Sequence, residues 1–143
     1  MFWRRKPKFG DAEKEQVVRA ICAPLELQKV MASGYSIETA EGKLNRKAIG
    51  YIYGFIDAAL TSIGQDMSDA SLSMPIVYQV LRHLFPGREE RYTQFLLENV
   101  GKDDVLRLGM MKGGQQFVDY SKPGSKGTPM GLARYMMKGE AQD

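Results

Sequence analysis

The sequence predicts an all-α protein, a single-domain bundle of five or six helices around one buried central helix at about residues 44–65. Three observations lead there. Apolar residues recur at helical spacing in segment after segment, no alternating run is long enough for a strand, and glycine, proline and serine clusters punctuate the chain. With 143 residues there is room for one sizeable core, and no internal repeat divides it.

Residues 1–10 hold four cations and no acid, and with Phe2, Trp3 and Phe9 among them they read as a flexible basic arm. Trp3, Arg4, Arg5 and Lys6 are its candidate contacts to an anionic membrane or nucleic acid. No apolar run follows these cations, which predicts no secretory signal and a cytoplasmic location. The segment between the two ends carries twelve cations against fifteen acids, so the basicity that sets a pI near 9.0 lies in the termini. A nucleic-acid-binding fold would instead place a basic stripe on a structured face.

The helical domain is expected over residues 11–120. Asp11 is the expected N-cap of a first helix with Glu13 and Glu15 in its opening turn. Val17, Val18, Ile21, Cys22 and Leu25 set its spacing, and Pro24 is expected to kink or split it. The pattern runs to about Ala32, and Ser33-Gly34 ends it. Residues 34–43 read as a polar connection, with a weak signal for a helical turn at Ser36 and with Tyr35 and Ile37 covering the edge of the core.

The central segment, LNRKAIGYIYGFIDAALTSIGQ, is apolar on nearly every side. Ile49, Ile52, Tyr53, Ile56, Leu60 and Ile63 share one face; Gly50, Gly54, Ala58 and Thr61 share the opposite one. A helix apolar all round is buried in a core or a membrane. Asp57 and the short uninterrupted apolar run argue for a core, since a span needs about 20 predominantly apolar residues.

Beyond it, DMSDASLSM reads as a loop, Ser73 as an N-cap and Pro75 as a first-turn residue. The stripe Ile76, Val77, Val80, Leu81 and Leu84 ends at Phe85-Pro86-Gly87. A further helix with Tyr92, Phe95, Leu96 and Val100 closes at Gly101. Asp103 and Asp104 open the next one, where Gly109 and Gly113 repeat the spacing of Gly50 and Gly54. The two glycine faces are expected to be mutual partners, unless Gly113-Gly114 breaks the helix. SKPGSKGTP, at 121–129, is a linker by composition, and 121–143 as a whole reads as that linker plus a short tethered Met-rich helix. Met130, Leu132, Ala133, Met136 and Met137 share one arc of that helix.

Chemistry-bearing residues are sparse. A single histidine, His83, and a single cysteine, Cys22, cannot build a zinc site, and Asp66 with Asp69 lacks the pattern of a calcium loop. No metal or cofactor is expected, and no catalytic residue is assigned. Cys22 on an apolar stripe reads as a packing residue and His83 as a solvated residue near a helix C-terminus. Asp57 stands out, with Tyr53 one turn before it and Thr61 one turn after, as a candidate polar pocket. The alternative is a structural acid bonded to a helix terminus, to Tyr35 or to Arg107.

The functional expectation is a non-enzymatic, self-associating protein–protein interaction module. Gly50, Gly54, Gly109, Gly113, Met130, Met136 and Met137 form its candidate contact surface. The other expectations are a membrane or nucleic-acid binder acting through the termini, and a small-molecule-binding protein or enzyme using Asp57.

Overall fold

A computed structural model of the chain describes residues 10–34, 36–39, 41–123 and 130–142, excepting the side chains of residues 11 and 138–142. The described residues form six helices: α1 (Asp11–Met31), α2 (Arg46–Ser62), α3 (Ala70–Leu84), α4 (Glu89–Asn99), α5 (Asp104–Ser121) and α6 (Gly131–Gln142). The only β pairing among them is an isolated bridge between Glu38 and Leu44. None of these helices is long and apolar enough to cross a membrane.

The core is built around α2. Ile49, Phe55, Ile56 and Leu60 have no exposed surface, and they pack with Leu25 of α1, Val77 and Leu81 of α3, Leu96 of α4 and Leu106 of α5. Burying each such side chain is worth about 1.5–3 kcal/mol. A smaller cluster joins Ala32, Ala48 and Tyr51 to Leu132, Ala133 and Met136 of α6. It seats the last helix against α1 and α2.

Helices α2 and α5 run parallel. Their N-terminal ends meet at the Arg46–Asp103 ion pair of 2.8 Å, Gly50 faces Leu106 and Gly54 faces Met110, and Phe55 meets Phe117 edge-on at 5.4 Å further along. The approach is backbone to backbone. A Cβ placed on Gly50 would lie 2.6 Å from the Leu106 carbonyl oxygen, and one on Gly109 would lie 2.9 Å from the Lys47 carbonyl oxygen. At Gly54 and Gly113 the opposing carbonyls of Met110 and Tyr51 stand closer still. Glycine is required here for space. All four sit in regular helix, where it is otherwise about 1 kcal/mol worse than alanine.

Local details correct an expectation or decide between alternatives in five places. α1 continues unbroken through Pro24, with Ile21 and Leu25 buried on either side of it, so packing holds together a helix that lacks one backbone donor. Its N-cap is Gly10, whose N–H donates to Glu13 Oε1 at 2.9 Å, and Asp11 is the first helical residue. α3 starts earlier than predicted. Asp69 caps it by accepting from Ser71 N, so Ser73 is a buried interior residue whose hydroxyl donates back to Asp69 O. Gly113-Gly114 does not interrupt α5, because both residues lie against α2. The 36–44 connection has no helical turn at Ser36. It is pinned to α4 by Glu38, which accepts from Arg91 at 2.6 Å and pairs with Arg88 at 3.5 Å.

Candidate interaction surface

Each glycine face is occupied by the other within the chain, which leaves the opposite side of α5 outward. At 100° per residue Leu108, Met111, Gln115 and Val118 fall on that outer side, spaced three, four and three residues apart. Such spacing is that of a coiled-coil seam, with apolar side chains at the knob positions and one polar residue in the middle. Leu108 is 47%, Met111 65% and Val118 44% exposed, high values for three apolar residues aligned on one face. Asp104 and Arg107 precede the stripe, paired with each other at 3.3 Å; Asp119 and Lys122 follow it, paired at 3.5 Å. All four side chains are more than half exposed, so these pairs are weak and exchangeable.

Beside this stripe an open groove of about 630 Å³ runs between α2 and α5, floored by Gly54, Ala58 and Gly114 and walled by Met110, Met111 and Phe117. Asp57 and Thr61 line it, and the Thr61 hydroxyl donates to Asp57 Oδ1 at 3.2 Å. Partial burial pushes the Asp57 carboxyl above its ordinary pKa, opposed by the Thr61 bond. Arg107 shares the groove but pairs with Asp104. Tyr35 lies outside the described residues. Tyr53 is buried in the main core, where burial and the Asp57 charge raise its phenol to about 12. The proposed Tyr53–Asp57–Thr61 trio is therefore divided, two members on the groove wall and one in the core.

The methionines of the last helix face different environments. Met136 is buried, Met130 is half-buried and Met137 is 55% exposed. Trp3, Arg4, Arg5 and Lys6 lie outside the described residues, as do residues 124–129 of the linker expected at 121–129, whose first residue, Ser121, instead ends α5. Cys22 donates toward the Val80 carbonyl at 3.9 Å, and burial with the nearby Glu26 charge pushes its thiol up to about 11. His83 is exposed in the last turn of α3. Among the described residues no three His, Cys, Asp or Glu side chains gather as a metal site.

Gln28 was missed from the sequence. It is only 3% exposed, and its Oε1 accepts both the Tyr51 hydroxyl at 2.6 Å and the Leu132 N–H at 3.1 Å. A side chain of α1 thus caps the first turn of α6 across the fold, satisfying a donor that has no partner inside its own helix. Tyr51 also stacks on Tyr135 at 6.0 Å. Comparison with family models, with curated proteins and with solved structures found no match to this chain.

Proposed function

We propose that the protein is a self-associating helical interaction module and that the outer face of α5 pairs with the same face of a second copy, antiparallel. The observation that carries this is the charge order along the seam: an acid and a base, in the sequence Asp104 and Arg107, stand before it, and Asp119 and Lys122 stand after it. Antiparallel pairing sets Leu108 against Val118 of the second copy and Met111 against its Gln115. It also brings Asp104 to Lys122 at both ends. Parallel pairing would oppose Asp104 to Asp104 and Lys122 to Lys122, which is unfavourable. The helix is about 27 Å long, from its 18 residues. Its face alone is smaller than the roughly 800 Å² per partner of a standard interface, so the dimer is weak, with a dissociation constant on the order of tens to hundreds of micromolar.

Sedimentation equilibrium across that concentration range tests the reading. A reversible dimer is expected, lost in Met111→Lys and weakened in Asp104→Lys, with Lys122→Asp restoring it in the double variant. A monomer at millimolar protein, or a dimer indifferent to Met111→Lys, would defeat the reading.

A further inference from the structure

A second opening lies away from α5. The C-terminal turn of α1, the Ile37 segment, α2, the end of α3 and α6 line a half-open pocket of about 390 Å³ between the main core and the smaller cluster. Its depth is lined by Ile37, Ala48, Ile52, Leu132 and Met136, and its polar lining is Lys29 with two serine residues. Volumes of 300–1,000 Å³ suit small molecules, whereas a helix with its side chains is about 10–12 Å across and does not fit. The pocket's aliphatic walls offer water few partners, which favours an apolar ligand tail there.

The head-group chemistry follows from Lys29. Its ammonium has three N–H donors. One goes to the Leu84 carbonyl, and one faces Glu26 at 3.4 Å. The Phe85 ring lies 5.1 Å away and holds the group in place. The third donor has no partner among the described residues, and the side chain is about one-third exposed. A cation with a spare donor beside an aliphatic pocket matches an anionic head on a single apolar tail.

We propose that this pocket binds one medium-chain carboxylate, its tail between α2 and α6 and its carboxylate at Lys29 Nζ. The site is independent of the α5 face. Isothermal titration and methyl NMR of the full chain with sodium decanoate, decan-1-ol and decyltrimethylammonium test it, the two ionic ligands below their micelle-forming concentrations and the alcohol below its solubility limit. Decanoate is expected to bind saturably, one per chain, with shifts centred on the Ile52, Leu132 and Met136 methyls. It should bind about tenfold tighter than decanol, one charge-assisted hydrogen bond's worth, and decyltrimethylammonium should bind weakest. Lys29→Met should erase the decanoate advantage and leave decanol unchanged. Ser36→Trp, at an exposed position on the rim, should block both ligands while circular dichroism stays native. Absence of saturable binding, methyl shifts confined to Met110 and Met111, or an unchanged decanoate-to-decanol ratio in Lys29→Met would overturn the assignment.

Discussion

Two adjacent glycines give the sharpest test of the packing. A methyl group added at Gly113 would sit 2.7 Å from the Tyr51 carbonyl carbon and 3.0 Å from Phe55 N, whereas one added at Gly114 would meet its nearest atoms at 3.6 and 3.8 Å. Ordinary carbon contacts begin near 3.4 Å. Gly113→Ala therefore forces α5 back by at least about 0.7 Å at that point, against backbone that cannot swing aside. Overpacking of this kind costs about 1–3 kcal/mol, here toward the upper end, and alanine's better helix propensity returns about 1 kcal/mol. The net expectation is a loss of about 2 kcal/mol, a large share of a domain stability of about 5–15 kcal/mol. Gly114→Ala meets no such obstacle and should gain about 0.5–1 kcal/mol. Urea unfolding followed by circular dichroism measures both, with equal m-values confirming that the same surface is exposed. If Gly113→Ala were neutral or stabilising, the close approach of α2 and α5 would not be the source of the glycine requirement.

Gln28→Leu leaves the Tyr51 hydroxyl and the Leu132 N–H without their shared acceptor, so it should cost about 1–3 kcal/mol. Hydrogen exchange should show the loss first in α6. Asp57 has a raised carboxyl pKa in the folded chain, so its favourable contribution is fully present below the ordinary value of 3.8 and is lost as pH rises through the raised value. Asp57→Asn removes that fall, and its stability relative to the parent should improve with pH across that window; the effect is small because the carboxylate is partly solvated. Thr93 is buried, and its hydroxyl has no hydrogen-bond partner among the described residues. Thr93→Val should be neutral or stabilising by up to about 1 kcal/mol in thermal unfolding.

The helical class, the central segment and the glycine pairing follow from periodicity, because each depends on residues three and four apart in one helix. Gln28 depends on something else. A glutamine in a mixed helix reads as surface, and only the packing of α2 and, some hundred residues later, of α6 buries it and supplies its two donors, the Tyr51 hydroxyl and the Leu132 N–H. Tyr53 and Asp57 are one turn apart, yet Ala48 through Ile56 are buried on every side, whereas beyond them Ala59 and Leu60 stay buried, Asp57 and Ala58 are half-covered, and Thr61 and Ser62 are exposed. Spacing reports a shared face but not where along a helix its cover ends. Ser73 was misjudged for a related reason, and Pro24 does not split α1, since local propensity yields to neighbours that a single segment does not reveal. The outer seam of α5 was present in the spacing of Leu108, Met111 and Val118. Its exposure became evident only once the glycine side was known to face inward.

The parallel course of α2 and α5 also bears on how the chain emerges during synthesis. About forty residues separate the end of α2 from the start of α5, so the smooth flank at Gly50 and Gly54 is translated well before its cover exists. During that interval the nascent protein presents a flat strip of bare main chain next to tyrosine and phenylalanine, a surface on which a molecular chaperone or a neighbouring nascent chain can settle. Completion of α5 closes this exposure, which makes the timing of its arrival a hazard that a helical hairpin with adjacent partners would not face.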